Sequence, residues 1–148
     1  MCIRDRDYSG FSVSGAGDVN GDGLDDLIVG SPGSDPNGEL SGASFVVFGK
    51  TDGAAIELSS IEANSNEVPV GFMISGVAVN DTSGRSSVSG AGDVNGDGLD
   101  DLIIGAIGDD PNGSGSGASF VVYGKTSGEI VELSDVQHGI GGLSLIHI

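Results

Sequence analysis

One segment of this sequence occurs twice, and that repetition constrains the fold more than any other feature. Residues 12–51 align with residues 87–126 at a constant offset of 75 without a gap, and 33 of the 40 positions are identical. The seven differences are Val29/Ile104, Ser31/Ala106, Pro32/Ile107, Ser34/Asp109, Glu39/Ser114, Leu40/Gly115 and Phe48/Tyr123. The likeness fades but continues through Gly53/Gly128, Glu57/Glu132, Leu58/Leu133 and Ser59/Ser134. A chain built this way is an array of one supersecondary unit, whose members bury their faces on one another.

Each unit divides into the same pieces. A first strand, at residues 11–15 or 86–90, alternates small and apolar residues. An acidic, Gly-rich loop follows, then an apolar run, Leu27-Ile28-Val29 or Leu102-Ile103-Ile104. A short continuous run between turns predicts a strand buried on both faces. The polar stretch Asp35-Pro36-Asn37-Gly38 recurs as Asp110-Pro111-Asn112-Gly113, and its Asn-Gly pair favours chain reversal. Residues 43–48 and 118–123 carry the β-branched and aromatic side chains of a third strand. Phe72, Ile74, Val77 and Val79 place a fourth within residues 71–79. Residues 56–61 and 130–136 fit either a short strand or one turn of helix. No segment holds helical periodicity over about eleven residues. The expectation is an all-β fold of four-stranded antiparallel sheets. A β-solenoid coil needs only about 20–30 residues, so a 75-residue unit favours propeller blades.

Composition narrows the function. The chain of 148 residues has 22 acidic against 5 basic side chains, a net charge of −17. Nucleic acid needs clustered Lys and Arg, so it is excluded as a partner, and an anionic membrane surface is disfavoured. No apolar run approaches the ~20 residues of a membrane-spanning helix. No signal peptide is visible. The single cysteine, Cys2, leaves no internal disulfide. A staple, if one exists, must be something other than sulfur, and metal is the obvious substitute.

The acidic loops supply the chemistry for it. Residues 18–26 and 93–101 both read D-x-N-x-D-G-x-x-D. Ca²⁺ takes roughly 6–8 oxygen ligands and tolerates irregular geometry. Alternate residues of a tightly wound loop aim oxygens at one centre: Asp18, Asn20, Asp22, the Leu24 carbonyl and Asp26. The second set is Asp93, Asn95, Asp97, the Leu99 carbonyl and Asp101. Gly23 permits the sharp turn after the third ligand. An EF-hand would place a bidentate Glu at the twelfth position, between two helices. Here the twelfth positions are Val29 and Ile104, and ligation closes at the ninth. Asp-Asn-Gly clusters are ordinary turn formers, but two identical nine-residue loops with four carboxylates each argue against that alternative. Asp25 and Asp100 read as solvated residues at strand starts.

These residues resemble the FG-GAP repeats of integrin α-subunit β-propellers, particularly the bacterial extracellular kind. The resemblance covers most of residues 11–142, and the acidic loop followed by L-I-[VI]-G is its most specific part. Where that family has Phe-Gly, this chain has Phe11-Ser12 and Ser86-Ser87. Where it has Gly-Ala-Pro, this chain has Gly30-Ser31-Pro32 and Gly105-Ala106-Ile107. The resemblance implies a seven-bladed propeller with calcium in loops at one face and partner binding on the other. Residues 11–79 are then a first blade and 80–142 an incomplete second, and the missing blades are partners of this segment. Residues 1–10 lie outside the repeat. Residues 1–6 and 143–148 read as translated adapter sequence, which would make Cys2, Arg4, Arg6 and His147 non-native.

Other chemistry is thin. His138 and His147 have no partner at useful spacing, and no G-x-S-x-G elbow accompanies the serines. No G-x-x-x-x-G-K-[ST] phosphate loop occurs. Residues 81–85 begin like the D-x-S-x-S motif of integrin adhesion domains but end on Arg85. Phe45, Phe48, Phe120 and Tyr123 read as core or inter-blade packing, and the absence of Trp weakens a lectin reading. The sequence therefore points to a non-enzymatic, two-Ca²⁺ propeller segment of a secreted or surface protein, an adhesion or interaction scaffold for a protein or extracellular-matrix ligand. Two other readings compete. One is a propeller belonging to a polysaccharide lyase or phospholipase-like hydrolase. The other is a spacer repeat of a large surface protein.

Overall fold

The computed structural model describes residues 8–62, 68–85, 87–110 and 114–146. The residues Cys2, Arg4, Arg6, Ser86, Pro111-Asn112-Gly113 and His147 singled out above lie outside these. In the first unit β1 (Ser12–Gly17), β2 (Asp26–Ser31), β3 (Ala43–Val47) and β4 (Gly71–Ser75) pair in sequence order, each antiparallel to the last. The second unit repeats this meander with β5 (Val88–Gly92), β6 (Asp101–Ala106), β7 (Ala118–Val122) and β9 (Gly142–Ile146). Between β3 and β4 lies α1 (Leu58–Glu62), and between β7 and β9 lie β8 (Val131–Glu132) and α2 (Leu133–Gln137). The two ambiguous segments thus become five-residue helices, the second with a two-residue strand before it. Among the described residues no helix is long and apolar enough to cross a membrane.

The fourth strand of the second sheet lies beyond the expected end of the repeat register at residue 142. Ala118 pairs Ile146 and Val122 pairs Gly142, as Ala43 pairs Ser75 and Val47 pairs Gly71. The offset there is 71 rather than 75, because the α2 connection is shorter, so a fixed-offset comparison misses it. Backbone closeness fixes where the strand begins. A Cβ on Gly71 would stand 2.0 Å from the Val46 carbonyl oxygen, and one on Gly142 would stand 2.1 Å from that of Val121. Only glycine fits either place.

Antiparallel register sorts each sheet into two faces. One face of the first sheet carries Ile28, Val46, Phe72 and Ile74, all fully buried. It packs on the Val88, Leu102, Ile104, Phe120 and Val122 face of the second sheet, with Leu133 and Val136 of α2 closing the cluster. The opposite face of the first sheet holds Phe45 and Met73 under Ile61 of α1. Each helix therefore covers the outer part of the same face of its own sheet.

The expectation that the apolar runs are buried on both faces fails for Leu27, which is exposed, and holds only partly for Val29 and Ile103. Two stacked sheets leave one face of each uncovered, and these residues lie on the uncovered faces. The fourth strand ends at Ser75, short of the expected residue 79, so Val79 is exposed and Val77 only partly buried, and Tyr123 is half-buried as well. Phe45, Phe48 and Phe120 are buried, and the Phe48 and Phe72 rings meet edge-on at 6.0 Å.

Further contacts join the sheets. Val131 of β8 pairs parallel with Ile74 of β4, so the second unit extends the first sheet. Lys125 Nζ sits 5.1 Å above the Phe72 ring. The Ser12 hydroxyl donates to the Gly84 carbonyl at 2.6 Å. Asn37 Nδ2 donates to Glu132 Oε2 at 2.7 Å and to the Gly76 carbonyl at 2.8 Å.

Candidate metal centre

Each acidic loop bridges the first and second strands of its sheet. A β-bulge precedes it: pairing slips by one residue between Gly15 and Gly17, and between Gly90 and Gly92. Bulges turn a strand and end its pairing, and here that releases the chain into the loop.

Inside the first loop one carboxylate organises the backbone. Asp18 Oδ1 accepts from the N–H groups of Gly21 and Asp22 at 2.8 and 3.0 Å, and Oδ2 accepts from Gly23 at 2.9 Å. Asn20 Oδ1 accepts from the Asp22 N–H at 2.9 Å, and Asp22 Oδ1 accepts from the Leu24 N–H at 2.8 Å. Asn20 Nδ2 donates to Asp22 Oδ2 at 2.8 Å. The second loop reproduces every one of these bonds through Asp93, Asn95 and Asp97, within 0.1 Å. Such side-chain-to-backbone bonds are why Asp and Asn wind loops of this kind.

The ninth positions behave differently. Asp26 and Asp101 are fully buried. Asp26 Oδ2 accepts from the Val19 N–H at 2.9 Å and Oδ1 from the Gly49 N–H at 2.7 Å. Asp101 takes Val94 at 2.8 Å and Gly124 at 2.9 Å. Each carboxylate so ties the start of its loop to the end of the third strand. Burial pushes the Asp26 carboxyl above the usual carboxylate range against the pull of those two N–H groups, and the charges of Asp22 and Asp18 add to the rise.

The donor chemistry suits a hard divalent cation, with three carboxylates, an amide oxygen and a carbonyl in nine residues. Among the described residues, however, no group of three or more His, Cys, Asp or Glu converges closely enough to hold an ion. The loops are wound by Asp-to-backbone bonds, and their carboxylates are not gathered around a common centre.

One residue expected to be merely solvated has a definite partner. Asp100 Oδ2 accepts from the Asp18 N–H at 2.9 Å, and the Asp100 N–H donates to the Asp18 carbonyl at 3.1 Å. The eighth residue of the second loop thus grips the first residue of the first. Gly17 is the residue that makes room: it has φ +75°, and a Cβ there would fall 2.1 Å from Asp100 Oδ2. Asp25, the counterpart, is exposed as expected. Sequence reasoning missed Asp100 because both loops carry the same Asp-Asp doublet, and only stacking distinguishes them.

A second acidic group sits at the junction of the sheets. Asp81 and Asp109 are both nearly buried. Asp81 accepts from the Ala78 N–H at 2.5 Å, and Asp109 accepts from Gln137 Nε2 at 3.1 Å. Burial raises both carboxyls, and Asp109 and Asp110 add to the rise at Asp81. The Asp81 beginning of the D-x-S-x-S-like stretch is therefore interior. His138 leans on its own helix, with Nδ1 2.7 Å from the Ser134 carbonyl.

Two stacked four-stranded meanders, each with an acidic loop between its first two strands, define a segment of β-propeller blades. The FG-GAP repeat family model matches residues 9–47 and 85–122, and the chain belongs to that family. It is 35% identical over 97 residues to integrin alpha pat-2 of Caenorhabditis elegans, covering 66% of this chain and 7% of that protein. It is 31% identical over 144 residues to integrin alpha-5 of Xenopus laevis, covering 93% of this chain and 12% of that protein. The chain thus spans about a tenth of the length of the curated relatives it matches.

Proposed function

We propose that this chain is a calcium-binding, non-enzymatic β-propeller segment of a secreted or cell-surface protein, serving as a scaffold for adhesion or protein interaction. The observation that carries the reading is the pair of acidic loops with the same hydrogen bonds atom for atom. The ligands are Asp18, Asn20, Asp22, the Leu24 carbonyl and Asp26 in one loop, and Asp93, Asn95, Asp97, the Leu99 carbonyl and Asp101 in the other. An amide N–H cannot ligate a cation, so the Asn20 and Asn95 side chains must present oxygen instead of their present Nδ2 contacts. A bound cation supplies charge neutralisation and cross-linking of the loop, and no reaction. Like charges a few ångströms apart cost on the order of kcal/mol at an effective dielectric of ~20, which a divalent ion reverses.

The similarity to integrin α chains supports the adhesion reading and a surface location, with a protein or extracellular-matrix ligand as partner and further blades beside this segment. Division into blades over residues 11–79 and from residue 80 onward is part of the same proposal. Neither loop has a His or Glu beside it, and in this reading the loop aspartates that could act as bases serve as cation ligands instead.

Calorimetry tests the reading. Two Ca²⁺ per chain are expected, with Kd in the extracellular range of about 10⁻⁴–10⁻³ M. Mg²⁺ should compete poorly, because it demands compact octahedral geometry. Absence of calcium binding, or binding unchanged by Asp22→Ala together with Asp97→Ala, would overturn it.

A further inference from the structure

Among the described residues the pair Asn-Gly occurs at 20–21, 37–38 and 95–96. This pair is open to one spontaneous reaction. The glycine nitrogen attacks the asparagine Cγ, ammonia leaves from Nδ2, and a cyclic imide forms. Water then opens the imide at either carbonyl, leaving an aspartate or an isoaspartate. Glycine favours the attack because no side chain hinders its nitrogen. The nitrogen must also be freed from its hydrogen bond and give its proton to solvent.

The fold holds the three nitrogens differently. The Gly21 N–H donates to Asp18 Oδ1 at 2.8 Å, and the Gly96 N–H donates to Asp93 Oδ1 at 2.7 Å. Both acceptors are carboxylates, which grip a donor more firmly than a neutral oxygen does and oppose loss of its proton. The Gly38 N–H reaches the Asp35 carbonyl at 3.5 Å, beyond the usual range of a hydrogen bond. All three asparagine amides make side-chain bonds that must be released as the amide turns. The attacking nitrogen is therefore what separates the sites.

Asn37 is exposed, and its amide joins the two units. Nδ2 donates to the Gly76 carbonyl just after β4 and to Glu132 Oε2 in β8, where Ser75 and Glu132 pair. An aspartate in its place has no N–H to give and sets a carboxylate against that of Glu132. An isoaspartate also lengthens the backbone of a turn in which the Asn37 N–H donates to Ser41 Oγ and the Leu40 N–H to Asp35 Oδ1.

We propose that Asn37 is a modification site of the folded chain. Its deamidation severs the side-chain link between β4 and β8, and Asp18 and Asp93 hold the same reaction back at Asn20 and Asn95. The junction between the units then loosens as the molecule ages.

Peptide mapping by mass spectrometry tests this on the full chain, kept at mildly alkaline pH in chelator so that no cation shields the loops. The outcome is thus independent of calcium binding. Asn37 should convert about tenfold faster than Asn20 or Asn95, the ratio expected from one hydrogen bond to a charged acceptor. In urea the three rates should converge. Asp18→Ala should speed conversion at Asn20 about tenfold, with Asn95 as the unchanged control in the same molecule. Folded Asn20 or Asn95 converting as fast as Asn37 overturns the inference. So does a ratio that survives in urea, which would place its cause in the flanking sequence. An Asp18→Ala variant without acceleration overturns the protective role of that carboxylate. Asn37→Asp stands in for the product, and should quicken amide exchange in β8. Adding Glu132→Gln returns an N–H facing the new carboxylate and should slow exchange again. Exchange unmoved by Asn37→Asp overturns the consequence for the junction, and exchange that stays fast in the double variant overturns charge opposition as its cause.

Discussion

Asp26 and Asp101 are the two carboxylates that burial leaves least free, and each accepts two backbone N–H groups. Exchanging such a carboxylate for an amide turns one acceptor into a donor that faces an N–H. A buried donor without an acceptor costs about 1–3 kcal/mol. Asp26→Asn should therefore lower unfolding free energy by that amount even in chelator, where no cation contributes, as urea denaturation can measure. A loss seen only with calcium present would mean that the side chain acts through metal alone.

Asp109 offers the opposite sign. It replaces Ser34 of the first unit, whose hydroxyl lies 2.8 Å from that of Ser31. Burial raises the Asp109 carboxyl, and Asp110 beside it adds to the rise. The folded state then holds its proton to higher pH than the unfolded chain does. Stability is lost as pH climbs from the ordinary carboxylate value through the raised one. Asp109→Asn keeps an acceptor for Gln137 and removes that charge. Its melting temperature should exceed the parent's at neutral pH, with the difference closing in acid, by calorimetric scans across pH.

At the scale of the element, the repeat sets up a controlled comparison. Leu27 and Leu102 hold equivalent positions in β2 and β6, flanked by the same residues. Burying and then deleting a leucine side chain costs about 2–5 kcal/mol, so Leu102→Ala should lose stability in that range. Leu27→Ala in the monomer should lose well under half as much. Equal losses, by denaturant titration in dilute solution, would mean that Leu27 is covered in solution. The same pair marks how far the sequence could be read. The four-stranded units, the loops and the residues that wind them followed from spacing and residue type. Which copy of an identical strand is buried did not, because burial depends on what lies in front of the sheet. The fourth strand of the second unit escaped for a related reason: Gly142 and Leu143 share a register with Gly71 and Phe72, but little sequence beyond the glycine. The Asp100 bridge likewise exists only once two loops are stacked.

For the whole molecule, the consequence of this packing is that neither sheet has a complete core of its own. The larger apolar cluster takes Ile28, Val46, Phe72 and Ile74 from one sheet and Leu102, Ile104, Phe120 and Val122 from the other. The smaller cluster under α1 is built on four buried residues, too few to hold a sheet of four strands. The parallel pairing of β8 with β4 and the bonds from Asp100, Asn37 and Ser12 cross the same boundary. Repeat arrays take their stability from intrinsic and nearest-neighbour parts, and here the neighbour part dominates. The chain should therefore unfold in one transition, with tryptophan-free probes such as far-ultraviolet dichroism and hydrogen exchange agreeing on the midpoint. Leu102→Ala should speed amide exchange in β2 and β3 as much as in β6 and β7, although it lies in the second sheet. Two separated transitions, or faster exchange confined to the second sheet, would show that each blade stands alone and that the shared cluster contributes little.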